Sequence, residues 1–152
     1  MNEQHRRLVQ IRAGRLSNDT AQSPGMQRFE AVSGPTVGSA ALFMGQTYMG
    51  PAARSSDHHH GPSETGIYVV AGHPVFVFAE GDEEVRVAAA PGDFVYVPPW
   101  VPHREENPSP DADAVVVVAR STQEAIVVNV ADLWEKVEIP PGAARGGQPS
   151  PA

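Results

Sequence analysis

Three histidines stand in a row, His58, His59 and His60, and a fourth, His103, follows a proline-rich corner, Pro98-Pro99-Trp100-Val101-Pro102. In an extended chain alternate side chains share a face, so His58 and His60 point the same way and His59 the other. A His-x-His pair on one face is a bidentate grip on a metal ion. The run is also bordered by Arg54-Ser55-Ser56-Asp57 and Gly61-Pro62-Ser63, so a solvated polar loop accounts for it equally well. The corner before His103 is more distinctive. Three prolines in five positions exclude a regular ladder and stiffen the bend, so a histidine directly after it can be held in one orientation. The chain has no cysteine, which removes disulfides, thiolate ligands and a cysteine nucleophile, and leaves histidine to build any soft-metal site.

The elements that must position these residues are short. Apolar runs recur at 27–32, 40–49, 67–71, 75–79, 85–89, 94–97, 114–119 and 125–130, rich in Val, Phe, Tyr and Ile and punctuated by Gly, Pro, Asp and Ser. Such a pattern predicts an all-β sandwich or barrel. Glu80-Gly81-Asp82-Glu83-Glu84 predicts a hairpin connection, with glycine available for positive φ. Residues 131–137 could make one or two helical turns, with Leu133, Trp134 and Val137 packing on the barrel. The predicted organisation is an N-terminal arm over 1–25, in which 9–13 could add a strand, one barrel over 26–138, and a disordered tail over 139–152 that has too few apolar residues to fold.

With the histidines and the strand pattern in place, the sequence resembles the cupin superfamily, specifically a small single-domain, RmlC-like metal-binding cupin. The first motif of that family is matched by Gly50, His58, His60, Glu64 and Gly72, and the second by Pro91-Gly92-Asp93, Pro98, His103 and Asn107, over about residues 38–120. The resemblance implies a double-stranded β-helix (jelly-roll) barrel with a short C-terminal helical turn. It also implies one divalent transition metal (Fe, Mn, Ni, Cu or Zn) on His58, His60, Glu64 and His103. The spacing departs from the family pattern in two places. Gly50 lies seven residues before His58 instead of five, and the usual six-residue gap before Gly72 places Thr65, not Glu64, at the carboxylate position. A one-residue shift in a strand turns a side chain to the other face.

Strand parity raises a second carboxylate. His103, Glu105 and Asn107 share parity, so in an extended segment Glu105 points inward with His103, where the family commonly has an apolar residue. A buried carboxylate is costly without a partner, which makes Glu105 a ligand, a substrate contact or a general base with a raised pKa, unless it sits hydrated at the barrel mouth. Gln46, Tyr48, Tyr96 and Trp100 are candidate pocket residues, core packing being the other account of each; Phe94 is expected to fill the barrel and His73 to lie exposed at a turn.

A net charge of −7 with a single lysine, Lys136, disfavours nucleic acid as a partner, because phosphate contacts need clustered Lys and Arg. No stretch approaches the ~20 apolar residues of a membrane span, and the first residues lack the apolar core of a secretory signal, so a soluble cytoplasmic protein is expected. The resemblance spans dioxygenases, decarboxylases, isomerases, cyclases and non-catalytic binding proteins. The first expectation is a dioxygenase-like oxidoreductase acting on a small organic metabolite. The alternatives are a metal-dependent binding or sensing module, or a non-redox isomerase or cyclase. Open jelly-roll edges at 27–32 and 125–130 predict a homodimer.

Overall fold

The computed structural model describes residues 6–20, 22–123 and 126–143. Alternation sets the strands: β2 (Phe43–Met49) and β9 (Ala114–Arg120) bury every second residue, as does most of β4 (Thr65–Ala71). With β1 (Met26–Val32) and β7 (Phe94–Val97) these form one antiparallel sheet in the order β1-β2-β9-β4-β7. The second sheet runs β10-β3-β8-β5-β6. Its strands are β3 (His58–His59), β5 (Val75–Glu80), β6 (Glu83–Ala88), β8 (His103–Glu106) and β10 (Val128–Asn129). This is the predicted all-β jelly roll. Between the sheets lie Met26, Met49, Ile67, Val69, Phe76, Val97, Val116 and Val118.

Some connections are fixed by single residues. β5 and β6 pair Glu80 with Glu83 across a two-residue loop whose first residue, Gly81, has φ of 60°. Gly72 has φ of 78°, and a Cβ there would sit 2.8 Å from the Ala114 Cα, so this turn accepts only glycine without strain. Asn107 is buried, and its amide nitrogen reaches the carbonyls of Met49, Gly50 and Ala112 at 3.0, 3.0 and 2.8 Å, tying the end of β8 to the end of β2.

The N-terminal arm and the C-terminal segment differ from expectation in detail. Residues 9–13 form no strand, because nothing pairs with them: Leu8 and Val9 are exposed, and Ala13–Arg15 is a 3-10 turn. The arm instead reaches the sheet at Ser17, which exchanges backbone hydrogen bonds with Glu30 of β1. Residues 131–137 make one turn, closed by Glu135 N–H to Asp132 C=O. Only Leu133 is buried there, against Val75 and Val77 on the outer face of the second sheet, while Trp134 is half-exposed with its indole N–H on the Gly81 carbonyl. Of the tail expected over 139–152, residues 144–152 lie outside the described residues. Among the described residues no helix is long and apolar enough to cross a membrane.

Candidate metal centre

The proline corner does what its stiffness suggests. Trp100 takes φ of 67°, and its N–H donates to the Gly61 carbonyl at 2.9 Å, so the corner is tied to the loop that follows His60. His103, the first residue of β8, lies in register with His58 of β3. The rings of His58, His60 and His103 then meet, with centroids 4.5 to 5.0 Å apart.

Each of these rings is oriented through its Nδ1. That of His58 lies 2.7 Å from the Ser56 carbonyl, that of His60 2.7 Å from the Ile126 carbonyl, and that of His103 3.0 Å from the Val101 carbonyl. A carbonyl only accepts, so each Nδ1 donates and each neutral ring keeps its lone pair on Nε2. The Nε2 atoms of His58 and His103 are buried and have no hydrogen-bond partner among the described residues. Glu105 faces them, 3.6 Å from His103 Nε2 and 4.0 Å from His58 Nε2. Candidate ligand atoms of His58, His60, His103 and Glu105 all lie within 4.8 Å of one another. Donors around one ion at ~2.1 Å stand up to ~4 Å apart, so a small contraction would close the set. Orphaned nitrogens beside a carboxylate, each ring anchored from behind, fit a bound transition metal.

Electrostatics agree with a ligand role. Burial lowers the pKa of His58 below the ordinary 6.5 and takes His60 to about 2, where the Arg120 charge and the other two rings add to the effect. Both rings are therefore neutral and ready to donate lone pairs. Burial by itself would raise Glu105, but the His103 ring beside it, with His58 and His60, holds it well below the ordinary 4.5. The raised pKa expected of Glu105 is thus corrected to a lowered one.

Alternation along β8 also turns Arg104 and Glu106 outward. Arg104 meets Glu84 at 2.6 Å, Glu106 at 2.8 Å and Asp57 at 3.4 Å, and Arg86 meets Glu106 at 3.0 Å. The Arg86 hydrogen bond, with Arg104 and against burial, holds Glu106 at about 2. This network clamps β8 to β6 and to the residue before His58. On the inner side, Ser55 bonds both the N–H and the C=O of Glu105 at 2.9 Å.

Several expected site residues lie elsewhere. Glu64 is exposed and accepts a hydrogen bond from the Tyr96 hydroxyl at 2.8 Å, away from the histidines. Thr65 takes the inward position instead, 1% exposed, with its Oγ1 unpartnered. Tyr96 and Phe94 point outward, because Val95 and Val97 pair with the inward-facing Ile67 and Thr65. Thr47 and Met49 of β2 face in while Gln46 and Tyr48 take the other phase; Gln46 nonetheless lines a small cavity of about 20 Å³ with Arg28 and Arg120, whereas Tyr48 packs edge-on against Phe29 at an open groove of about 610 Å³. Trp100 packs 6.0 Å from His59, the histidine that parity turns away from the cluster, and walls neither of the two small inner cavities. His73 is exposed.

The sequence reading missed Arg28 and Arg120, both in contact with the inner cavity beside Glu105. The signal for Arg120 was present: it closes the inward series Ala114, Val116, Val118 on β9. Burial lowers its pKa to about 10, which leaves it charged at neutral pH.

Among curated proteins none matches this sequence. Solved structures share the fold. An oxalate oxidase in complex with the substrate analogue glycolate is similar with a TM-score of 0.66 and 16% identity over 80% of this chain and 63% of its own. An oxalate decarboxylase from Bacillus subtilis is similar at 0.64 and 20% over 74% of this chain and 29% of its own. Peruvianin-I, described as a cysteine peptidase from Thevetia peruviana latex, is similar at 0.65 and 13% over 79% of this chain and 76% of its own, yet this chain has no cysteine. The likeness is therefore one of fold, and the chain spans under two thirds of the oxalate oxidase and under a third of the decarboxylase. A family model described as Cupin domain matches residues 46–120, which run from β2 through all three clustered histidines to Arg120. The jelly roll, both histidine motifs and that match together make this chain a member of the cupin superfamily.

Proposed function

We propose that this cupin is a mononuclear metalloenzyme that holds one divalent transition metal on His58, His60, His103 and Glu105 and acts oxidatively, in the manner of a dioxygenase, on a small organic metabolite. The observation that carries it is the convergence of the histidine Nε2 atoms on Glu105 with every Nδ1 donated to a backbone carbonyl. A three-nitrogen, one-oxygen set leaves coordination positions open, and a metal so held supplies Lewis-acid or oxygen chemistry. The protein's own part is to keep the His58 and His60 imidazoles neutral, to fix the orientation of all three rings, and to exclude water with Met49, Ile67, Phe76 and Val116 around the inner cavity. Oxalate oxidase and oxalate decarboxylase among the structural neighbours support a small-molecule substrate.

Elemental analysis of protein purified without chelators tests the reading. One metal per chain is expected in the wild type, with loss in both His58→Ala and His103→Ala; stoichiometric retention in either would sink the assigned site. Oxygen uptake by the metal-loaded protein with substrate separates oxidation from the non-redox isomerase and the silent binding module. We further propose a homodimer, because β1 and β10 each lie at the edge of a sheet. A monomeric mass at micromolar concentration would contradict it.

A further inference from the structure

Beside the metal cluster the barrel holds a positively charged recess. Its cavity of about 20 Å³ is lined by Arg28, Thr47, Phe76, Glu105 and Arg120 among others. A second cavity of about 20 Å³ lies against the same two arginines and extends to Thr20 and Val127. Each exceeds the ~10–15 Å³ that one water needs, so the recess suits a ligand of few heavy atoms.

Two buried polar atoms, one on Arg120 of the recess and one on the residue paired with it, lack partners among the described residues. Arg120 is 8% exposed and stacks over Phe43 at 5.6 Å, and its Nε has no hydrogen-bond acceptor. Thr65 lies opposite Arg120 in the register of β4 and β9, and its Oγ1 is buried and unpartnered as well. Among the described residues no ion pair joins Glu105 to the arginine, and its carboxylate faces the Nε2 atoms of His58 and His103 instead. Glu105 is also, among the described residues, the one carboxylate lining the inner cavity. A guanidinium presents Nε and the adjacent Nη as a fork that matches the two oxygens of a carboxylate.

We propose that Arg120 is the carboxylate-binding residue of the pocket, so that the substrate is a small carboxylic acid held by the Arg120 fork, with the Thr65 hydroxyl beside it and its remaining atoms toward His58, His60 and His103. The inference rests on the metal-centre reading and names the substrate class for it. Arg28, which also bonds Ser23 Oγ at 2.8 Å, adds a second positive charge to the wall of the recess.

Titration calorimetry of the full chain, metal-loaded and chelator-stripped, tests it with glycolate as probe and the neutral glycolamide as control. Glycolate is expected to bind at least ~10-fold more tightly than glycolamide, as hydrogen bonds to a charged group imply. Arg120→Met is expected to lose ~10–100-fold in glycolate affinity with metal content unchanged, and Arg120→Lys, which keeps the charge without the fork, to fall between. Equal binding of glycolate and glycolamide by the wild type overturns the proposal, as does full glycolate affinity in folded Arg120→Met. Should that variant not fold, the wild-type ratio and Arg120→Lys decide. Arg120-dependent glycolate binding in a protein that takes no metal would sustain the carboxylate site and remove the metal centre, whereas one metal per chain without glycolate preference does the reverse.

Discussion

At the level of single residues, the carboxylate of the cluster has changed strands. The family spacing assigns it to β4, where this chain has the inward Thr65, and Glu64 one position away faces solvent. Glu105 on β8, two residues after His103, supplies the inward carboxylate instead. Both facts follow from period-two alternation: Glu64 is out of phase with Thr65 and Ile67, and Glu105 is in phase with His103. Glu105→Gln is therefore expected to weaken metal binding by at least the ~10–100-fold typical of losing an outer-shell partner. Glu64→Gln is expected to leave affinity unchanged. Competition with a metal-binding dye measures both, and the reverse ranking would return the ligand to Glu64. Strand parity alone turns Glu105 inward, whereas its charge state depends on three rings brought in from β3, the following loop and β8.

At the level of elements, turns carry the register that alternation needs. Gly72 ends β4 at φ of 78° with the Ala114 backbone packed against it, whereas Gly81 has φ of 60° with nothing near. Gly72→Ala is expected to cost about 2–4 kcal/mol, combining left-handed strain with overpacking, and Gly81→Ala only about 1–2 kcal/mol. Urea unfolding of the two variants measures the difference, and equal costs would show that the Ala114 contact yields without penalty. The strands themselves were legible because Val, Ile and aromatic runs between Gly and Pro have few other solutions. Facing was legible only where one phase is polar. In Phe94-Val95-Tyr96-Val97 both phases are apolar, so the large aromatics were placed inside, while pairing with Ile67 and Thr65 puts the valines there. Arg120 failed in the opposite way: a charged residue at the end of a valine run looks like a solvent-facing terminus, yet it is in phase with Val118 and paired with Phe43 and Thr65, and its side chain is buried.

At the level of the whole molecule, the cluster links stability to pH. In the metal-free fold His60 is held at about 2 and stays neutral, and His58 is lowered below 6.5, while in the unfolded chain both take up protons near 6.5. Below that value the unfolded state binds more protons than the folded one, and stability must fall as pH falls. His60 contributes ~1.4 kcal/mol per pH unit below 6.5, and the lowered His58 and His59 add in the same direction, against a total of ~5–15 kcal/mol. Glu105 and Glu106 act with the same sign further down, since their depressed folded values mean stability present above 4.5 and lost as pH drops through that value, for Glu106 toward about 2. The urea midpoint of metal-free protein is thus expected to be flat from pH 8.5 to 7.5 and to decline steadily below 6.5. In His60→Gln the decline between pH 6.5 and 5 should be shallower by ~1.4 kcal/mol per pH unit, because the proton that His60 takes up on unfolding is gone. Bound metal raises the plateau by mass action, ~2.7 kcal/mol at a free concentration 100-fold above its dissociation constant. Protons then compete with the ion for the same nitrogens, so the loaded protein should lose its extra stability over an acidic interval where the metal-free curve is already falling. A metal-free midpoint that stayed constant down to pH 5 would mean that the rings admit protons in the folded state, and that the nitrogens facing Glu105 are not the desolvated lone pairs on which the metal site depends.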